Sequence, residues 1–240
     1  MGLFGFGKKK QKDAPCSVVV VAAGSSSRMG IDKILAPLRG EPVIIHTLRA
    51  FEQCPSVREI VLVTREDLLV ELAQLCRQYG LNKVSQVIRG GETRTDSVYL
   101  GVLEVDRAAE LIAVQDGARP LISCAVIERT IAQAGKSGAA APAIPVKDTV
   151  KVARNGIVEH TPERDSLYAV QTPQVFEASL LKGALHKARE AGITGTDDCS
   201  MVERLGMKVV LVAGEERNIK LTTPMDLMLA ECLLGEGVSK

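Results

Sequence analysis

Blocks of apolar residues alternate with amphipathic stretches along this chain, and the alternation predicts strands followed by helices. Val18 to Val21 form a continuous apolar run, which is typical of a strand buried on both faces of a parallel sheet. Ile44, Leu48 and Phe51 then recur at helical spacing. The same periodicities predict strands over residues 57–64, 84–88, 111–114, 138–144 and 208–212, and helices over residues 41–53, 68–79, 93–106, 124–134 and 224–234, with a helical pattern resuming at 177.

Repeated alternation of strands and helices predicts an α/β fold, with a Rossmann-like, mainly parallel sheet covered by helices on both faces. Ligands of such sheets bind outside the carboxyl ends of the strands. The turns at Gly24, at Gly90 and Gly91, and at Asp116 each follow a predicted strand. We therefore expect these three turns to open on one edge of the sheet and to form the binding site.

The rhythm changes between about residues 146 and 170, where the pattern predicts a projecting β-arm. Polar and apolar residues alternate over residues 147–153, Asn155 and Gly156 supply a hairpin turn, and residues 157–161 form the returning strand. An isolated hairpin is only marginally stable in water. We therefore expect the arm to pack against a second copy in a homodimer, the alternative being a hairpin folded back on its own subunit.

The first strand leads into a loop of small residues that suits a polyphosphate. At Ala22, Ala23 and Gly24 the small or missing side chains let a ligand lie against the backbone. Three serines follow, and Arg28 and Lys33 add positive charge around the same turn. Small residues, exposed backbone N–H groups and two cations together make a cradle for phosphates.

The better-known motifs of phosphate loops and nucleophiles fail in this sequence. Residues 135–137 have the Gly-Lys-Ser ending of a Walker loop, but Thr130 stands where its first glycine belongs. The dinucleotide fingerprint fails because Ser26 replaces the glycine that should follow Gly24 at the second position. A nucleophile elbow fails because Arg28 replaces its last glycine. A nicotinamide dehydrogenase is therefore disfavoured.

Composition restricts the partners of the chain. Its 240 residues are 46% hydrophobic and 25% charged, as in an ordinary globular protein. A net charge of +1 and an aromatic content of 3% argue against nucleic-acid binding. No apolar stretch approaches the roughly 18 residues of a membrane span. We predict a disordered basic leader over residues 1–14 and a single domain over residues 15–236.

The six cysteines are dispersed along the chain, and the nearest two are Cys54 and Cys76. No pair has the spacing of a zinc site or of a redox motif. The sequence therefore predicts reduced thiols and a cytoplasmic location.

Seven segments of the chain together resemble one enzyme family. They are AAGSSSRMGIDK from Ala22, GGETRTDSV from Gly90, QDGARP from Gln115, KDTV from Lys147, TPERDSLYAVQTPQVF from Thr161, TDD from Thr196 and NIKLTTPMDL from Asn218. In this order they resemble the 2-C-methyl-D-erythritol 4-phosphate cytidylyltransferase family over about residues 16–235. The resemblance implies a fold of the nucleotidyltransferase type. It also implies transfer of CMP from CTP to methylerythritol phosphate, with release of pyrophosphate, in non-mevalonate isoprenoid precursor biosynthesis.

The resemblance implies a role for each candidate site residue. Arg28 and Lys33 would stabilise the charged transition state, and Arg164 and Lys220 would position the phosphate of the second substrate. The implied CTP contacts are Ala22, Ala23, Gly24, Gly91, Glu92, Ser97 and Asp116, and the implied contacts to the second substrate are Arg119, Thr149, Arg164, Thr196 and Thr222. Because Thr149 and Arg164 lie on or beside the arm, an arm that crosses to a partner would complete each active site in trans.

A divalent cation is expected with the nucleotide, because Mg²⁺ favours triphosphate oxygens and keeps several waters. The resemblance places Asp116 at the ribose and near this metal, so Asp116 is the candidate protein ligand. Asp197 and Asp198 form an adjacent pair that we expect to cap a helix rather than to bind metal. Glu92 stands where many relatives carry Asp, and Val21 stands where many carry Pro.

Two alternatives remain open from the sequence. One is a pentitol-phosphate cytidylyltransferase, such as one acting on ribitol phosphate, although Ala118 before Arg119 in QDGARP favours methylerythritol phosphate. The other is a nucleotide-binding regulatory protein that has lost turnover. The retention of Arg28, Lys33 and Lys220 argues against it, since binding alone does not require cations around the reacting phosphorus.

Overall fold

The computed structural model describes residues 16–24 and 32–235 of the chain. The predicted leader over residues 1–14 and the predicted catalytic residue Arg28 lie outside the described residues. The strands are β1 (Cys16–Ala22), β2 (Pro37–Leu38), β3 (Glu41–Pro42), β4 (Val57–Thr64), β5 (Val84–Arg89), β6 (Leu111–Asp116), β7 (Ala139–Pro145), β8 (Val152–Arg154), β9 (Ile157–His160), β10 (Tyr168–Val170), β11 (Gln174–Glu177) and β12 (Val210–Ala213). The helices are α1 (Val43–Glu52), α2 (Leu69–Gln78), α3 (Arg94–Glu104), α4 (Cys124–Ser137), α5 (Ala178–Glu190), α6 (Cys199–Glu203) and α7 (Pro224–Gly235).

Eight strands of the described residues form one sheet, in which β10, β7, β11, β6, β1, β4 and β5 are successive neighbours and β12 pairs with β7. Strands β6, β1, β4 and β5 run parallel to one another, and β12 runs parallel to β7. Strands β10 and β11 are antiparallel to theirs. The sheet is thus mainly parallel, which confirms the predicted fold class.

Strands β10 and β11 are the strands of the main sheet that the sequence pattern missed. Within β11 the apolar residues are Val175 and Phe176, both fully buried, and four residues are too short to display a period of two. Glu177, where we expected a helical pattern to resume, is the last residue of β11, and α5 begins at the next position. Long-range pairing with β6 and β7, rather than local pattern, therefore determines this part of the fold.

The core lies on both faces of the sheet. Val18 and Val20 of β1 face a cluster shared with α1, α2 and α4, whereas Val19 faces a cluster shared with α3, α5 and α6. This alternation explains why the first strand is apolar without interruption, because each of its faces is covered by helices. A third cluster joins α7 to β2 and to the loop around Leu221. None of the helices in the described part of the chain combines the length and the apolarity that a bilayer crossing requires.

A two-stranded hairpin of β8 and β9 lies within the segment predicted as an arm. Asn155 and Gly156 connect its strands with φ angles of 51° and 78°, the left-handed pair that a tight hairpin turn requires. Residues 147–161 are all exposed. The use of this segment as a dimerisation arm remains a prediction.

Candidate active site

A cavity of about 440 Å³ opens where β1, β5 and β6 end. The turns that follow these strands all contribute to it, as the position of ligands in parallel sheets led us to expect. The cavity lining includes the predicted nucleotide contacts Ala22, Ala23, Gly24, Gly91, Glu92, Ser97 and Asp116, together with Lys33 and Lys220. Residues that are far apart in the sequence thus meet at one edge of the sheet.

The glycine turn after β5 is shaped by close packing. A Cβ atom at Gly90 would lie 2.6 Å from Ala23 Cβ and 2.7 Å from Ser97 Oγ, so a larger residue would displace the turn or these neighbours. The Ser97 hydroxyl accepts a hydrogen bond from Gly91 N–H (3.1 Å) and donates one to the Thr93 carbonyl (3.0 Å). Ser97 is nearly fully buried, and it thereby fixes the shape of the turn.

Helix α3 starts directly after this turn with a capping box. Thr93 Oγ1 accepts a hydrogen bond from Asp96 N–H (3.0 Å), and the Asp96 carboxylate accepts one from Thr93 N–H (3.2 Å). The reciprocal pair satisfies two amide groups that a helix start otherwise leaves unpaired. It also holds Arg94, the first residue of α3, at the mouth of the cavity.

Asp116 at the end of β6 is surrounded by cations. Its carboxylate lies 2.9 Å from Lys220 Nζ, 3.4 Å from Arg94 Nε and 3.6 Å from Arg119 Nε. The Asp116 backbone N–H donates to Thr172 Oγ1 (3.1 Å), which fixes the strand end. Burial raises the pKa of Asp116, but the charges of Lys220 and Arg94 outweigh that effect and hold this pKa below its ordinary value. Asp116 is therefore ionised at neutral pH within a cluster of net positive charge.

Lys220 reaches Asp116 from a loop that is anchored on both sides. Asn218 is fully buried, and its amide Nδ2 donates to Gln171 Oε1 (3.2 Å) and to the Thr172 carbonyl (3.0 Å). Leu221 is also fully buried, and its N–H donates to the Ala118 carbonyl (2.8 Å). The backbone that carries Lys220 is thus fixed beside the cavity wall, while the lysine side chain is 40% exposed.

Arg94 is a site residue that the sequence did not single out, although its segment carries the family resemblance. Its guanidinium joins two carboxylates, with Nη2 2.8 Å from Asp198 Oδ2 and Nε 3.4 Å from Asp116 Oδ1. Burial raises the pKa of Asp198 more than the ion pair with Arg94 lowers it. Asp198 lies 104 positions further along the chain, and no local pattern could have paired it with Arg94.

The adjacent pair Asp197 and Asp198 divides its roles. The Asp197 carboxylate accepts from Ser200 N–H (3.0 Å) at the start of α6, which agrees with the expected capping. Asp198 does not cap with its side chain and instead pairs with Arg94. The expectation of capping therefore holds for the first member of the pair and is wrong for the second.

The predicted contacts to the second substrate are not part of the described cavity wall. Arg119 is buried behind it, where Nη1 donates to the Asn218 carbonyl (2.7 Å) and Nε faces Asp116. The Thr222 hydroxyl donates to Asp226 Oδ2 (2.8 Å). The remaining three, Thr149, Arg164 and Thr196, are exposed. Their roles stay predictions.

Arg65 adds a further cation to the cavity wall. Its Nη2 lies 2.6 Å from Asp32 Oδ2 and 3.1 Å from Asp67 Oδ2. The hydrogen bonds that Arg65 donates to the carboxylates of Asp67 and Asp32 raise the pKa of Arg65. Asp32 belongs to the segment that carries Lys33, so Arg65 ties this segment to the end of β4.

Comparison with known proteins agrees with this geometry. Residues 16–236 match the family described as 2-C-methyl-D-erythritol 4-phosphate cytidylyltransferase. A protein of that name from Caldanaerobacter subterraneus is 43% identical over 226 residues, covering 91% of this chain and 98% of the relative. One from Desulforamulus reducens is 45% identical over 222 residues, covering 90% of this chain and 94% of the relative.

A solved structure gives the same result for the fold. The 4-diphosphocytidyl-2C-methyl-D-erythritol synthase from Anaerococcus prevotii superposes with a TM-score of 0.83 at 30% identity, covering 93% of this chain and 97% of the other. The match extends over the sheet, its helices and the segments that form the cavity. The chain therefore belongs to the 2-C-methyl-D-erythritol 4-phosphate cytidylyltransferase family.

Proposed function

We propose that the cavity binds CTP, with the cytosine at the glycine turn and the triphosphate toward Lys33 and Lys220. As a member of its family, the chain is a nucleotidyltransferase that catalyses CTP-dependent cytidylyl transfer to methylerythritol phosphate in isoprenoid biosynthesis. A phosphate oxygen of methylerythritol phosphate bonds to the α-phosphorus of CTP, and the bond from that phosphorus to the leaving pyrophosphate breaks.

One observation carries the proposed binding mode. Lys33, Arg94 and Lys220 line the same cavity as the side-chain-poor turn at Ala23 and Gly24. Transfer of a nucleotidyl group asks the protein mainly to position two phosphates and to stabilise negative charge. Cations beside a turn with little side-chain bulk can both position the phosphates and stabilise their negative charge. We propose that Arg28, in the loop that follows Gly24, contributes a further positive charge.

Specificity for cytosine is proposed to reside in the turn that Ser97 shapes. Gly91 and Glu92 border the cavity from this side, and Ala22 and Ala23 border it from the end of β1. A base with one amine donor and two acceptors can be matched by backbone groups of such a turn. Because Ser97 uses its hydroxyl to hold the turn, we propose that it acts on the base mainly through the position of Gly91.

The donor set suits a divalent cation that is held largely by the nucleotide. Glu92 and Asp116 are the carboxylates of the described cavity wall, and Asp116 already faces three cations. Such a set does not form an all-protein cage, whereas Mg²⁺ ordinarily binds through one or two carboxylates and substrate phosphates. We propose Asp116 as its protein contact. When bound, the ion neutralises charge on the triphosphate.

We further propose a homodimer through the β-arm. Apolar side chains are exposed along the arm, and on β9 Ile157 is 74% and Val158 54% exposed. Large apolar side chains that are exposed within one segment make that segment a candidate interaction surface. Thr149 and Arg164, which the described cavity of the same subunit does not include, would reach the cavity of a partner.

Sedimentation and activity measured together test the dimer. Ile157→Lys should give a monomer with strongly reduced turnover, since the partner's arm is lost. Val70→Lys is the matched control, because Val70 is 70% exposed on α2, outside the arm. A monomeric Ile157→Lys protein with full activity would contradict an active site completed in trans, and a monomeric wild type would contradict the dimer itself.

Pyrophosphate release tests the substrate assignment. We expect turnover with CTP, Mg²⁺ and methylerythritol phosphate, and far less with ribitol phosphate. A preference for ribitol phosphate would show that the assigned acceptor is wrong, and CTP binding without turnover on either acceptor would indicate a regulatory protein.

The six cysteines are all free thiols, which supports the proposed cytoplasmic location.

A further inference from the structure

A cluster of two thiols and a carboxylate lies outside the cavity and takes no part in the proposed reaction. Cys54 follows the end of α1, and Cys124 and Glu128 lie one helical turn apart on α4. One ligand atom from each residue lies within 4.8 Å of the other two. The linear spacing of the cysteines gave no indication of a metal site, but the fold brings Cys54 and Cys124 together across 70 positions of sequence.

The ligand atoms are close to the dimensions of a tetrahedral site. Metal–sulfur bonds of about 2.3 Å place two thiolates about 3.8 Å apart around a tetrahedral zinc ion. Here Cys54 Sγ is already 3.0 Å from Glu128 Oε1, and the widest separation in the cluster is no more than 4.8 Å. Contraction by about 1 Å at most is therefore sufficient to reach that geometry.

Neighbouring groups hold the carboxylate in place. The Ser56 N–H donates to Glu128 Oε1 (3.2 Å), and the Ser56 hydroxyl donates to Glu128 Oε2. Outer partners of this kind orient a ligating carboxylate and are a regular feature of metal sites. Lys83 Nζ lies 2.6 Å from the Cys54 carbonyl, and its charge offsets the net negative charge of two thiolates and a carboxylate around a divalent ion.

We propose that Cys54, Cys124 and Glu128 bind one zinc-class divalent ion, with water as the fourth ligand. Two thiolates and one carboxylate select a borderline-soft metal such as Zn²⁺ over Mg²⁺. On binding, two metal–sulfur bonds replace the thiol S–H bonds, and the displaced protons pass to solvent. Cys124 and Glu128 are only partly buried, so the ion has a route from solvent. The bound ion ties the end of α1 to α4 at a site separate from the nucleotide cavity.

Titration of the reduced, full-length protein with Co²⁺ and then Zn²⁺, in excess Mg²⁺, tests this site. We expect one equivalent of Co²⁺ to give a thiolate-to-cobalt charge-transfer band with tetrahedral visible bands, and Zn²⁺ to abolish both. Cys54→Ser and Cys124→Ser should each weaken Zn²⁺ binding by more than about 100-fold, beyond the 10- to 100-fold that outer partners contribute. Cys232→Ser is the matched control, because Cys232 is an exposed thiol on α7 and should leave the spectrum unchanged.

The outcome in the wild-type protein decides the proposal, and the variants identify the ligands. Absence of a charge-transfer band in the wild type would overturn it, as would a band of undiminished intensity, formed with wild-type affinity, in both serine variants. Glu128→Gln keeps the size of the side chain and should retain the thiolate band while weakening the affinity. Pyrophosphate release in the absence of zinc-class ions should be unchanged in all of these variants, which checks that they are folded.

Discussion

Removal of the Arg94 guanidinium should destabilise the protein most at high pH. Arg94 pairs with Asp198 at 2.8 Å and also faces Asp116 at 3.4 Å. In Arg94→Met the Asp198 carboxyl, only 2% exposed, loses the charge that stabilises its ionised form. Burial already raises the pKa of Asp198 despite the ion pair, so without Arg94 this pKa rises further.

The magnitude follows from burial and linkage. Removing one partner of a buried ion pair costs roughly 3–5 kcal/mol, and the 26% exposure of Arg94 favours the lower end of that range. Because the folded-state pKa of Asp198 lies above its unfolded value, the folded variant retains a proton that the unfolded chain releases. Its stability therefore falls as pH rises toward that folded pKa, by at most about 1.4 kcal/mol per pH unit.

Urea denaturation from about pH 4, close to the unfolded pKa of an aspartate, to about pH 8 measures this effect. The stability deficit of Arg94→Met relative to wild type should grow toward high pH. Adding Asp198→Asn to that variant should recover most of the loss and remove the pH dependence, because no buried carboxylate then remains unpaired. A deficit that is independent of pH, or a double variant no more stable than Arg94→Met, would refute the reasoning.

Three further predictions concern the cavity. Lys220→Met should lower kcat by about 100- to 1000-fold with a smaller change in CTP affinity, because the variant loses a charge contact to the transition state. Steady-state kinetics measure both effects, and Lys136→Met, which removes an exposed lysine, is the control that should behave as wild type. Gly90→Ala should raise the KM for CTP and lower the free energy of unfolding, measured by thermal denaturation, by about 1–3 kcal/mol, because the new Cβ would lie 2.6 Å from a neighbouring atom. Gly183→Ala is the control and should not destabilise the protein, because a Cβ at that position meets nothing within 4 Å. Because folding lowers the pKa of Asp116, its ionised carboxylate contributes stability that is complete above the unfolded pKa of about 3.9 and is lost as pH falls through the folded pKa. In Asp116→Asn the free energy of unfolding, measured by denaturation, should therefore decrease less steeply at acidic pH than in the wild type.

The edge of the sheet on which the site lies was predictable from the sequence. The turns at Gly24, at Gly90 and Gly91, and at Asp116 each follow a predicted strand. The rule that parallel sheets bind ligands at the carboxyl ends of their strands brings these turns together. The hairpin turn at Asn155 and Gly156 was predictable for a similar reason, since few residue pairs accept two left-handed conformations in succession.

The partners within the site were not predictable, because they depend on tertiary packing. Sequence resemblance marked Arg119 and Lys220 as substrate contacts, yet both side chains face Asp116. The link between Arg94 and Asp198 crosses 104 positions and has no local signal. Which cations share a carboxylate depends on how loops from distant segments pack, and periodicity carries no information about that packing.

A crystal structure with CTP and Mg²⁺ bound is the most direct test of the central claim. The ammonium groups of Lys33 and Lys220 should lie about 2.7–2.9 Å from phosphate oxygens, as charge-assisted hydrogen bonds do, with the cytosine against Gly91. Both ammonium groups directed into solvent, or a nucleotide bound away from the turn at Gly24, would contradict the proposed site.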